Sequence, residues 1–234
     1  CNFIRNDAGI AAGALCLQFE SSHVVNTVFD SNKAYVGGTI YCVNPKASNT
    51  EYVNCTFINS TTCNTVRHSE ADNGGAVFIA TKNTNFTDCR FINCSVYSGK
   101  NGGAIYFKYG ADGSRVDRCN FTNCTAISAT GEGEGGAIYI DGAYDSTNNV
   151  YKLITNITIH NSTFINTSAR NGGAIYLTGI NTVIDNSTFK NNFATNYGGA
   201  VYIKAFGNDL ALNNTVSNST FKYNNAVKGG AIYL

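Results

Sequence analysis

The side chains able to do chemistry are few and spread out. Hydrolysis of a glycosidic bond takes two carboxylates about 5 to 9.5 Å apart. Elimination on an acidic polysaccharide takes calcium-holding acids and a basic proton acceptor. Among 15 Asp and Glu and 3 His, acids such as Asp30, Asp88, Asp117 and Asp185 stand singly. Asp88 and Asp117 lie near Arg90 and Arg118, as a surface ion pair would. His23, His68 and His160 fall in different parts of their repeat units, and no Ser or Cys has a plausible base beside it. The two densest acidic groups are Glu70 with Asp72 and Glu132 with Glu134. Loops this rich in oxygen can hold calcium, with His68 nearby, although ordinary solvated loop tips have the same composition. Calcium is the one cofactor to test, and otherwise none is expected.

Nine cysteines include no Cys-x-x-Cys metal spacing. Cys1, Cys55, Cys89 and Cys119 precede a Phe by two residues, and Cys94 and Cys124 follow one by three. If successive units stack, Cys89 meets Cys119 and Cys94 meets Cys124 at about the 4.4 to 6.8 Å Cα separation a disulfide accepts. Bridges and buried thiols both fit that spacing. Asn-x-Ser/Thr sequons occur at Asn54, Asn85, Asn93, Asn156, Asn161, Asn186 and Asn218. They suit a glycosylated surface protein, but the repeat's own Asn-Ser-Thr-Phe wording generates many of them.

Composition narrows the class. Charged residues are 13% of the chain, net charge is +1, and there are 24 Gly and 1 Pro. Asn makes up roughly a seventh of the 234 positions. With no run of Lys or Arg, there is no electrostatic footprint for nucleic acid or an anionic membrane. No stretch reaches the ~18 apolar residues that span a bilayer, and no segment has the form of a signal peptide. Met is absent and both ends fall inside repeat units, so the sequence reads as a stretch of a longer protein.

The elements that must position these groups come from a repeat. Gly-Gly-Ala-Ile-Tyr or a variant recurs at Gly37, Gly74, Gly102, Gly135, Gly172, Gly198 and Gly229, with a decayed copy at Ala12-Gly13-Ala14-Leu15. A second signature, Phe followed closely by Asn, alternates with it at Phe3, Phe29, Phe57, Phe91, Phe121, Phe164, Phe189 and Phe221. The shortest spacings between successive Phe, 25 and 26 residues, are the length of one three-strand coil. Segments such as Ala174-Ile175-Tyr176-Leu177 are short and β-branched or aromatic, and none has a helical period. The fold expected is all-β, a right-handed parallel β-helix of about eight coils forming one continuous unit over 1–234, with like residues stacked at ~4.8 Å. Insertions at 61–72, 128–134, 142–152 and 206–214 supply the variable surface. The double Gly suits a corner of positive φ or of close approach between coils.

Within Gly-Gly-Ala-Ile-Tyr-Ile, the two Ile such as Ile138 and Ile140 face the core, which turns Ala137 and Tyr139 outward. The outward aromatic column is Tyr41, Phe78, Tyr106, Tyr139, Tyr176, Tyr202 and Tyr233. Mutual stacking between coils is one use for it, and a platform for a sugar or a partner is another.

The paired Phe-x-x-Asn and Gly-Gly-Ala-Ile motifs resemble those of the polymorphic outer membrane protein repeat family and of similar adhesin-like surface proteins. The resemblance covers essentially the whole chain, though copies such as Phe57-Ile58-Asn59-Ser60 lack the final Asn. It implies a secreted or surface-displayed passenger linked to adhesion. The expected function is therefore an extracellular adhesin-like or filament-forming rod without catalytic residues. Its partners would be a host or neighbouring-cell surface protein or glycan, or copies of itself stacked end to end. Because β-helices also house polysaccharide lyases and glycoside hydrolases, a secreted enzyme of that kind is the alternative.

Overall fold

The computed structural model describes residues 1–63, 73–97, 100–126, 132–145, 150–205 and 213–234. Its strands run parallel in three long ladders. The Phe sheet has eight strands, from Asn2–Ile4 to Thr220–Lys222, with Phe over Phe throughout. The Gly-Gly sheet also has eight, from Leu15–Cys16 to Ile232–Tyr233. A third sheet has seven, from His23–Val25 to Thr215–Ser217. A fourth, discontinuous ladder follows the Phe sheet in each coil and contains Asp7–Ala11, Lys33–Val36 and Ser168–Asn171. The parallel β-helix expected from the repeat is the architecture found. One antiparallel hairpin, Ala143–Asp145 with Val150–Lys152, projects from the fifth coil. Among the described residues no helix is long and apolar enough to cross a membrane.

Most strands are three residues long, so period-2 alternation sends either one or two side chains inward. The Phe sheet and third sheet send the middle residue in, as in Thr56-Phe57-Ile58 and Arg115-Val116-Asp117. The Gly-Gly sheet sends the outer two in, as in Ile138 and Ile140. These residues form one continuous core along the rod. Ala137 belongs to that core and is fully buried, contrary to the expectation that it faces out. It lies one residue before the strand, where the chain is still turning, so strand alternation does not yet apply to it.

The corners explain the Asn content. Two residues before each strand of the Phe sheet and of the third sheet, the backbone is left-handed, and the residue there is usually Asn. Examples are Asn54 (φ 51°), Asn161 (φ 50°) and Asn186 (φ 48°). Asn tolerates this region because its short side chain hydrogen-bonds locally, whereas most L-residues pay 1–2 kcal/mol (roughly) to enter it. The Gly-Gly corner divides the two roles expected for glycine. Gly102 has φ +70°, while a Cβ on Gly103 would strike the Gly136 carbonyl oxygen of the next coil.

Candidate functional site

The outer aromatic column is in register along the Gly-Gly sheet, with ring centroids 4.9 to 5.5 Å apart. From Tyr41 to Tyr176 the rings therefore lie face to face, within 29° of parallel, whereas Tyr202 is tilted by 59° from Tyr176 and Tyr233 by 38° from Tyr202. Phe78 is fully buried, Tyr106 and Tyr176 are 7% and 6% exposed, and Tyr41, Tyr139, Tyr202 and Tyr233 are half-buried. A sugar would stack on an open ring face, and from Tyr41 to Tyr176 the stacked rings turn their edges outward. Mutual stacking is thus the use the geometry makes of it. Tyr106 donates from its hydroxyl to Asp141 Oδ2 at 2.7 Å. Burial raises the Asp141 carboxyl and, more strongly, the Tyr106 and Tyr139 phenols, and it lowers Lys108. Asp141 was not singled out from the sequence.

Of the four acids considered for calcium, Glu70 and Asp72 lie outside the described residues, as does His68. Glu134 is placed at the corner residue before Gly135, and its Oε1 accepts from Arg170 Nη2 at 2.7 Å and from Asn171 Nδ2 at 3.0 Å. The positive charge beside this carboxylate is therefore a guanidinium. Glu132 is exposed at the rim of the same shallow depression, with Lys100 and Asn101. Among the described residues no group of three or more His, Cys, Asp or Glu is placed to hold a metal.

All nine cysteines are free thiols, six of them buried. Of the two arrangements the spacing allowed, the structure therefore has thiols, with no bridge from Cys89 to Cys119 or from Cys94 to Cys124. Five of the buried ones act as inward hydrogen-bond donors to the coil below. Asn192 Nδ2 donates to the Phe164 carbonyl at 3.1 Å and Asn224 Nδ2 to that of Phe189 at 3.0 Å, so the Asn of Phe-x-x-Asn ties each coil to the Phe beneath. Cys94 and Cys124 occupy that position in their coils and direct Sγ to the Phe57 and Phe91 carbonyls at 3.7 and 3.5 Å. In the other column Cys55, Cys89 and Cys119 reach the carbonyls of Val24, Tyr52 and Phe86. Hydrogen bonding with the Cys119 thiol pushes Cys89 up to about 12, and burial raises Cys94 as well. Such thiols are poor nucleophiles at neutral pH.

The sequon asparagines mostly serve the corners. Asn54, Asn93, Asn156, Asn161, Asn186 and Asn218 all have positive φ, and only Asn85 lies in a strand. Their amides form inter-coil ladders: Asn54 donates to Asn26, Asn93 to Asn59 and Asn186 to Asn161. All but Asn85 and Asn161 are exposed.

A polar column missed in the sequence crosses the outer face of the third sheet. Asp117, His160 and Asp185 are in register on successive coils. His160 Nδ1 lies 3.0 Å from Asp117 Oδ1, and its Nε2 lies 3.5 Å from Asp185 Oδ2. Arg118 bonds Asp117 and also Asp88 on the coil below, with Nε 2.8 Å from Asp88 Oδ1. Ser217 and Asn218 donate to Asp185 at 2.7 and 2.9 Å. Hydrogen bonds from Arg118 hold Asp88 below the usual carboxylate range, and those from Ser217 and Asn218 do the same for Asp185. A general acid needs a raised value, so neither acid is set up as one: Asp88 pairs with Arg118, and Asp185 accepts hydrogen bonds from the next coil. The expected pairing of Asp88 and Asp117 with arginine is made by Arg118, with Arg115 Nη2 also 3.6 Å from Asp117 Oδ1, and among the described residues Arg90 takes no part in it.

Stacked rings, inward donors and polar ladders together define a repeat-built parallel β-helix rod, with the groups able to do chemistry used to join coils. Part of the repeat is similar to the polymorphic membrane protein repeat. Residues 186–204 and 218–234 match the model of the Chlamydia polymorphic membrane protein repeat. No curated protein matches the chain. One solved structure, of QnrB1, a plasmid-mediated fluoroquinolone resistance protein, aligns with 94% of this chain and 91% of its own at 12% identity and a TM-score of 0.28. A likeness that distant carries no functional inference.

Proposed function

We propose that the chain is part of a cell-surface, adhesin-like protein that works by display: a stiff rod holds variable loops out toward a surface protein or glycan of another cell. The observation that carries this is where the insertions leave the rod. In every coil the strand of the Phe sheet begins five residues after the strand before it and five before the next ladder, as in 23 to 28 to 33 and 158 to 163 to 168. All variation in coil length falls on either side of the Gly-Gly sheet, including the 143–152 hairpin. A rod with loops gathered on one side suits binding, because loops positioned by a rigid scaffold carry recognition at little cost to the fold. The repeat type supports extracellular display. No cofactor is part of this proposal.

The test is adhesion of beads coated with the chain to a panel of cell surfaces and immobilised glycans, with and without the 143–152 hairpin replaced by a tight turn. Loss of adhesion with the β-rich circular dichroism spectrum intact supports display. Release of sugar fragments without adhesion would replace it with the secreted lyase or glycosidase, and Asp117, His160 and Asp185 would be the first residues to substitute.

A further inference from the structure

The outer face of the Phe sheet takes no part in the loop display. It is the side of the rod that no insertion interrupts in any of its eight strands. Longer surface loops cost little in chain entropy, so a face kept flat through all eight coils needs a reason other than folding. Its charges are also sorted along the rod. In the column that follows each Phe, an acid sits near one end, at Asp30, and two cations sit at the other, at Lys190 and Lys222, with Ile58 and Ile165 between. Lys190 and Lys222 are exposed, stand side by side in register, and have no acidic partner among the described residues. Like charges in that position destabilise a sheet, so an anion brought from outside would relieve them.

We infer that this face pairs with the same face of a second copy, the two rods antiparallel about a two-fold axis that lies along the strand direction between the fourth and fifth coils. Such an axis reverses the order of the coils and keeps each outward column opposite itself. Asp30 of the second coil then meets Lys190 of the seventh, and Ile58 of the third meets Ile165 of the sixth. Arg90 of the fourth coil meets Asn120 of the fifth and not another cation. A parallel pair would instead gather four lysines, Lys190 and Lys222 from each copy, with no acid among them.

Eight strands at ~4.8 Å spacing make a face of roughly 34 by 10 Å, under half of the ~800 Å² per partner that a stable interface buries. The pair is therefore weak between free chains and becomes populated where rods of opposite polarity are brought together at high local concentration, as between two facing surfaces. Pairing is separate from the loop-borne adhesion above, and would hold for a rod with no adhesive partner.

Sedimentation equilibrium of the chain up to about millimolar concentration at low salt reads it directly. The wild type should dimerise, less strongly as salt is added. D30K and K190D alone should each weaken the dimer about tenfold or more, and D30K/K190D should regain it. None of these positions is buried, so circular dichroism should show the fold intact in all three variants. A chain that stays monomeric throughout, single swaps without effect, or a double swap that fails to restore association would overturn the inference. Adhesion of beads coated with D30K separates the two proposals, because loops on the other side should still bind.

Discussion

Two columns of aromatic rings run the length of the rod at nearly the same spacing, yet they differ in order. The inner Phe rings are 4.7 to 5.1 Å apart and within 2 to 12° of parallel. The outer rings are 4.9 to 5.5 Å apart, and their planes differ by 7 to 59°. Backbone register sets the distance in both columns, because each ring is carried by a strand paired to the next. Enclosure sets the tilt. The inner rings are held by three walls of core, while the outer ones are free to turn toward other partners, as Tyr202 and Tyr233 do around Tyr197. Stacking alone therefore does not make a binding platform or a rigid column, and the surroundings decide which results.

The comparison breaks hardest at the corner that both columns share. A Cβ at Gly103 would strike the Gly136 carbonyl oxygen and lie 2.7 Å from the Thr125 carbonyl, forcing adjacent coils apart. Gly103→Ala should cost more than about 4 kcal/mol in urea unfolding and disorder both columns. Phe121, fully buried between Phe91 and Phe164, comes next: Phe121→Ala should cost about 3–5 kcal/mol, against about 1–2 kcal/mol for the half-buried Tyr139→Ala. Equal costs would show that enclosure does not separate the columns. Asn123 has φ +55°, donates to Asn93 and accepts from Asn166. Asn123→Ala should cost about 1–2 kcal/mol and Asn123→Gly less, since Gly keeps the left-handed backbone and loses only the ladder.

The smallest effect is the acid response of the polar column. Asp88 and Asp185 have folded values below their unfolded ones, so their contribution is complete above the unfolded value of about 3.9 and is lost as pH falls through the folded values. The urea midpoint should fall below about pH 4, and Arg118→Met should make that fall shallower by removing the partner of Asp88. A midpoint that climbs as pH drops through this window would contradict the ion pairing.

The ring columns and the coil count were legible in the sequence because Phe and Gly-Gly recur with little decay. Tyr139 was placed outward correctly, but the covering of both its faces by Tyr106 and Tyr176 was not to be had from alternation, which says which side a ring is on and not what stands above it. Asn123 and its like read as ladder residues or sequons, since nothing in a lone Asn announces a left-handed corner. The alignment of His160 with Asp117 went unnoticed because 43 residues separate them. The signal was there in the repeat: Asp117, His160 and Asp185 each precede their coil's Phe by four residues.

Immunogold electron microscopy of intact source cells, with an antibody raised to this stretch, tests surface display most directly. Gold on cell-surface projections or fibres is the expected result. Gold absent from the cells, with the protein recovered only from the medium, would contradict display and favour a secreted glycan-active enzyme.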